Sequence, residues 1–307
     1  MFFLLPSNLF AQVDLQKDSV DTDSIARMVV MSEVVVRKGI NVPGFIQKVK
    51  DDTSFYKAFK NLRILNFSSF NNIIMKNKRG ESVATLNSKT HQTVSKGCRT
   101  MRKEYEHVTG DMLSSDGTYN YYTAELYAGL FFTVGKVCGD NNIVADSRLN
   151  PKSKSGIDKR KEQLKMLFFN PGKKIPGIPL MGEKSNIFDP QNADLYDYIL
   201  DFSSYGDKEA FVFTVKAKEG LSKSQRNRIV FDNMVTWFDY NNFDILSRVY
   251  DLSYNTGVYD FDVHFEVKLS RFGKYLVPTV LRYSGNWDIM FKKRERGLFT
   301  ATLFDFK

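Results

Sequence analysis

From residue 196 onward, apolar and polar residues alternate with a period that extended chain explains. In "YDFDVHFEV", Tyr259, Phe261, Val263, Phe265 and Val267 point to one side of a strand, and Asp260, Asp262, His264 and Glu266 point to the other. The rhythm recurs in "YDYILDFSSYG", "EAFVFTVKAK", "RIVFDNMVTWFD", "FDILSRVYDLSY", "YLVPTVLRYSGNWDI" and "GLFTATLFDF", with glycine and asparagine turns between them. Such spacing predicts antiparallel strands joined by hairpins. Between residues 62 and 137, "RILNFSSFNNIIMKN", "ESVATLNSKTHQTVS", "CRTMRKEYEHV" and "YNYYTAELYAGLFFTV" predict a further meander, broken at Lys78-Arg79-Gly80 and at "SSDGT".

Two stretches follow helical spacing instead. Phe45, Val49, Tyr56, Phe59 and Leu62 recur at three- and four-residue steps and predict a core-facing helix over 45–62. Leu164, Leu167 and Phe168 predict a shorter helix over 158–169, stopped by Pro171 and Gly172. Its first turn carries Lys159, Arg160 and Lys161, which oppose the helix dipole and would suit a membrane surface. "MVVMSEVVVRKG", Met28 to Gly39, reads as a strand or extended segment, and "PGKKIPGIPLMG" reads as a Pro/Gly connector near 170–182.

The expected fold is therefore mainly β: a large, strongly curved antiparallel sheet, half-barrel-like, with an N-terminal helix and a short mid-chain helix. Residues 44–307 would form a single β-rich domain after a flexible lead-in and extended segment at 12–43. Composition agrees. Aromatic residues make up 14% of the 307, with 26 Phe and 15 Tyr against 2 Trp, and Phe and Tyr favour pleated surfaces.

The net charge of +9 permits attraction to nucleic acid or to anionic lipid, without choosing between them. Basic residues are spread along the chain, with clusters at Lys152–Lys165, Lys173–Lys174 and Lys292–Arg296, and read first as solvated faces. The opening "MFFLLPSNLFAQ" reads as the back half of a secretory signal ending at Ala11, which places the protein in the periplasm or at the outer-membrane periphery, away from nucleic acid. No later run stays apolar for the about 18 residues that a spanning helix needs. Cys98 and Cys138 match no zinc spacing; they form either one disulfide or two buried thiols.

Chemistry-bearing motifs are few. Asp260, Asp262 and His264 could ligate one cation if a neighbouring strand added a ligand, with Glu266 orienting the histidine. The simpler reading is the wet face of a half-buried strand. G-x-S-x-G, the phosphate-binding P-loop and G-x-G-x-x-G are all missing, and no cofactor is expected. The apolar strand faces, in contrast, need cover that two short helices supply only in part. Either their own Phe and Tyr fill the concavity, or part of it holds a ligand.

The "FAQ" at residues 10–12, "FIQKVKDDTSFYKAFKNLR", "LKMLFFNPGKKIPGIPLMGEKSNIFDP" and "VPTVLRYSGNWDIMFKKRERGLFTATLFDF" resemble a family of exported Bacteroidetes proteins over most of the chain from about residue 45. A helix followed by long antiparallel strands also resembles the periplasmic lipoprotein-carrier half-barrels of the LolA/LolB type. Neither likeness supplies catalytic residues. The second implies a non-enzymatic protein that binds a lipid or acyl chain, or an envelope partner, with a membrane surface as a further contact. Phe211, Phe213, Trp237, Phe261, Phe265 and Trp287 are the expected lining. An outer-membrane β-barrel is the second reading, and a metal-dependent enzyme using Asp260, Asp262 and His264 the third.

Overall fold

The structure is a computed structural model that describes residues 22–139, 166–175, 182–255, 259–289 and 294–307. The signal-like segment, the basic turn at 159–161 and most of the 158–169 helix lie outside the described residues. Chain order begins with α1 (22–28), β1 (Val29–Met31), α2 (Glu33–Arg37), α3 (Val42–Asp51) and α4 (Ser54–Asn61). Strands β2 (Phe67–Lys76), β3 (Ser82–Ser95) and β4 (Cys98–Gly110) follow, then α5 (Tyr122–Phe131), β5 (Val137–Cys138), α6 (166–169) and α7 (Pro190–Ala193). The second half comprises β6 (Tyr196–Tyr205), β7 (Lys208–Ala217), the single turn α8 (Lys223–Arg226), β8 (Phe231–Asp239), β9 (Ile245–Tyr254), β10 (Tyr259–Phe272), β11 (Tyr275–Ile289) and β12 (Glu295–Phe304).

All twelve strands form one curved, unclosed sheet in the order β1-β6-β7-β8-β9-β10-β11-β12-β2-β3-β4-β5. Only the β1–β6 pair is parallel. The sheet is a half-barrel in which the C-terminal strand β12 pairs with β2, joining the two halves of the chain. Because it does not close, it lacks the edge-free geometry that a membrane barrel requires. Both edges are short, which limits pairing with other chains. β5 has two residues, and its Cys138 lies opposite Cys98 and is disulfide-bonded to it.

Strand alternation is as the sequence predicts: Phe261, Val263, Phe265 and Val267 are buried, while Asp262 and His264 are exposed. Pro278 sits within β11, yet costs no ladder bond to β12, whose pairing stops at Val280. On the β10 side a bulge between Lys268 and Leu269 accommodates it.

Helices line the concave face. The predicted 45–62 helix is two helices, because Asp52 ends α3 and its carboxylate accepts the N–H of Ser54 at 3.1 Å, opening α4. α3 is capped by Asn41, which accepts from Gly44 N–H, and buries Val42, Phe45, Ile46 and Val49. Phe45 meets the rings of Phe211, Phe213, Phe238 and Phe243 edge-on at 5.3–5.8 Å. α4 is tied to the sheet by Asn61, whose side chain donates to Leu276 O at 2.8 Å.

Two further expectations change. Residues 122–131, predicted as strand, are helix α5, with Thr123, Ala124, Tyr127 and Ala128 buried at i, i+4 spacing. Within Met28–Gly39, β1 is followed by the helix α2, and α1 before it buries Ile25, so the described part of the lead-in is built into the fold.

The Cys98–Cys138 link spans forty residues of sequence that include α5. Replacing both cysteines by serine should lower stability by about 2–4 kcal/mol. Denaturant melts of wild type and variant, each with and without reductant, check this, and only the wild type should respond to reductant.

Candidate functional site

The concave face holds two aromatic clusters. One lies under α3 and contains Phe45, Phe211, Phe213 and Phe238. The other lies beneath α5 and α6, where the cover leaves space: a chamber of about 40 Å³ between Phe265, Tyr283, Trp287 and Phe299 of the sheet and Tyr127, Leu130, Phe131, Phe168 and Phe169 of the helices.

Its floor depends on two glycines. Gly285 of β11 and Gly297 of β12 are directly paired. Without side chains, they let the rings of Tyr283 and Phe299 lie flat on the backbone, stacked at 4.8 Å with 9° between planes. A Cβ on Gly285 would stand 1.9 Å from Tyr283 Oη. Trp287 Nε1 donates to Tyr283 Oη, so each polar ring atom has a partner. Phe261 extends the cluster, with its ring 4.9 Å from that of Trp287.

Polar atoms in the roof are turned away from the space. Tyr127 Oη donates to Asn71 Oδ1 at 3.3 Å. Thr123 Oγ1 donates to Glu295 Oε2 at 2.7 Å, while Glu295 also accepts the backbone N–H groups of Tyr122 and Thr123 at 2.8 Å. A carboxylate from β12 thus satisfies the N-terminus of α5. Burial raises the hydroxyl pKa of both Tyr127 and Tyr283, so the chamber stays uncharged across the physiological range.

Leu130, Phe131 and Phe169 also border a second, larger space of about 100 Å³. The lining of this cleft is mixed, with Phe59 and Phe132 among its apolar residues and Lys60, Arg63 and Arg99 among its polar ones. Arg99 Nε donates to Thr133 Oγ1 at 3.1 Å, which donates to Gln92 Oε1 at 3.2 Å. Gln92 in turn donates to Leu62 O and Leu65 O at 2.6 and 2.9 Å, binding the end of α4 to the end of α5. Burial, and then the nearby Arg63, lower the Arg99 pKa.

Of the six aromatic residues expected as lining, Phe265 and Trp287 border the chamber, and Phe261 touches Trp287. Phe211 and Phe213 belong to the cluster under α3. Trp237 is on the opposite face of the sheet, 5.8 Å from Tyr205, because its neighbour Phe238 takes the inward position against Phe45. The cleft cations and α5 were not legible as site residues. The available signal was a glycine, Gly129, within an otherwise helix-compatible run.

The polar row on β10 is a cross-strand ladder. His264 Nδ1 lies 2.6 Å from Asp251 Oδ1, and Glu266 accepts from Arg282 at 2.8 and 3.0 Å. Among the described residues, no group of three His, Cys, Asp or Glu is placed to hold a metal. Lys173 stands apart: it donates to Lys50 O at the end of α3, and burial, then the proximity of Arg248, push it down to about 8.

No protein-family model and no curated protein sequence matches the chain. Among solved structures it is similar to a DUF1329-family protein from Desulfovibrio piger, at 11% identity and a TM-score of 0.25, over 82% of this chain and 90% of that one. It is also similar to a LolA-superfamily protein from Nitrosomonas europaea, at 8% identity and a TM-score of 0.22, over 83% and 91%. Likeness at these scores carries no weight for function.

Gly285→Ala should destabilise the fold by about 1–3 kcal/mol through overpacking. The loss should shrink when Tyr283→Ala removes the obstructing ring, as a double-mutant cycle of urea melts would measure. For Lys173, the unfolded state holds a proton that the native state releases between pH 8 and about 10, so stability rises with pH there. Relative to Lys173→Met, the gain should be at most about 1.4 kcal/mol per pH unit, read from melts at pH 7.5 to 10.

Proposed function

We propose that this is a non-enzymatic binding protein of the cell envelope that holds a hydrophobic ligand, an acyl chain, in the chamber between the half-barrel and α5–α6. The observation that supports it is the chamber itself: an apolar space inside an otherwise aromatic-filled concavity, with the polar atoms of Tyr127, Thr123, Tyr283 and Trp287 engaged elsewhere. A space of about 40 Å³ is smaller than the ~150 Å³ apolar cavity that accepts benzene. The chamber therefore receives the end of a chain, and deeper entry requires Leu130 and Phe131 to turn.

Exported or outer-membrane-peripheral residence is part of this proposal, supported by the signal-like opening and by the Cys98–Cys138 disulfide, which oxidising compartments favour. No helix among the described residues is long and apolar enough to cross a membrane. The membrane-barrel reading gains no support from an open sheet whose outward face carries the His264–Asp251 and Arg282–Glu266 pairs.

The chain contains two tryptophans, one at the chamber and one on the far face. In Trp237→Phe protein, a neutral monoacylglycerol with a dibrominated chain should quench Trp287 saturably, whereas in Trp287→Phe protein Trp237 should stay bright. Equal quenching of both, or of neither, rejects the chamber as an acyl site.

A further inference from the structure

We infer that the concave face holds a second binding site, in which Arg248, Lys173 and Ser54 receive a phosphate group at the first turn of α4. The site is separate from the acyl chamber and does not depend on what fills it.

Arg248 of β9 carries the inference. It is only 6% exposed, and its guanidinium lies 4.5 Å from the ring centroid of Phe55, the second residue of α4. Its Nε donates to Thr236 Oγ1 at 2.9 Å. Its two terminal amino groups have no hydrogen-bond acceptor, and no carboxylate at ion-pair distance, among the described residues. A guanidinium has five N–H donors in a rigid fork, and leaving such a cation buried and unpaired is strongly destabilising.

Lys173 brings a second cation to the same place. Its Nζ donates to Lys50 O and, at 3.5 Å, to Val49 O at the end of α3, so its acceptors are carbonyls only. The charges acting on it are Arg248 and Lys50 on one side and Asp52 and Asp51 on the other. Both carboxylates are engaged elsewhere: Asp52 accepts from Ser54 N–H at 3.1 Å and Asp51 from Gln47 Nε2 at 2.8 Å. Counting Lys173 itself, three cations face two acids.

Ser54 is an independent observation. It is the first residue of α4, and its Oγ is buried without a partner, which is uncommon for a native hydroxyl. Thr53, the N-cap, makes no side-chain capping bond. An idle guanidinium fork, an ammonium and an idle hydroxyl at a helix N-terminus are the donors that a tetrahedral oxyanion recruits: the fork binds two oxygens, and the helix dipole favours the charge. Asp51 and Thr53, on either side of Asp52, are exposed, so the α3–α4 turn gives the site its opening to solvent.

The test is a phosphate titration at pH 7 and constant ionic strength, chloride being exchanged for inorganic phosphate, with thermal midpoint and calorimetric Kd as readouts. The wild-type midpoint should rise saturably with phosphate. Arg248→Met should abolish the rise and, in phosphate-free buffer, melt no lower than wild type, because it removes an unpaired buried charge. Ser54→Ala and Lys173→Met should each weaken phosphate by about tenfold. Should Arg248→Met fail to fold, these two titrations decide. A short-chain lysophosphatidate below its micelle concentration is the second probe. Tighter binding than inorganic phosphate assigns the site to a lipid head group; equal or weaker binding assigns it to free phosphate. A wild-type midpoint indifferent to phosphate, a rise that persists in Arg248→Met, or an unchanged Kd in both Ser54→Ala and Lys173→Met overturns the inference.

Discussion

The structure depends on covering the concave face of an open sheet. Twelve strands satisfy one another's backbone, but curvature alone does not remove their inward rings from water. The cover is assembled from pieces far apart in sequence. α3 contributes Phe45 to a group of four sheet and turn rings, and each edge-on pair adds about 0.5–1.5 kcal/mol beyond burial. α4 is fastened by one buried amide, Asn61 on Leu276 O, and by stacking of Phe59 on Phe169 at 4.0 Å. α5 is held at its two ends, by Glu295 at the first turn and by the Arg99–Thr133–Gln92 chain just beyond the last.

Being held at the ends leaves the middle of α5 over the cavities. Below it the sheet changes character. β2 and β3 bring Ser69, Asn71, Ser88 and Thr90 to the concave face, where they bond to one another and to Tyr127. These buried polar groups are satisfied, so they resist intrusion without attracting it. The adjoining β10–β12 surface is aromatic and, through the Gly285–Gly297 pair, flattened. The chamber therefore lies where a polar stripe, a flattened aromatic floor and a helix held at both ends meet. On the outward face the same strands carry ion pairs, and the row Asp260 to Glu266 belongs to that solvated surface.

Much of this architecture was legible. Alternation in "YDFDVHFEV" determined which side of that strand would be buried, because the side-chain period of a strand is fixed by backbone geometry. Phe265 and Trp287 could be chosen as inward residues on that basis. Trp237 could not be placed, since adjacent aromatic residues Trp237 and Phe238 compete for one inward position and a register shift lies between them. α5 was misread because "YTAELYAGLF" is apolar on nearly every side, so the helical and strand periods match it equally. Its helix-starting carboxylate is 173 residues away, on β12.

The sequence by itself thus determined the fold class, the buried side of strands such as β10 whose alternation is unbroken, and the amphipathic stripe of the first helical region, since those follow from local period and turn chemistry. Tertiary structure alone decided that β12 joins β2, that Cys98 meets Cys138, and that Arg99, Thr133 and Gln92 link the ends of α4 and α5 beside a chamber walled by Phe265 and Trp287. Those are contacts between distant residues. Their energies arise from burial and from charges brought together by the closing of the cover, and no local pattern encodes them.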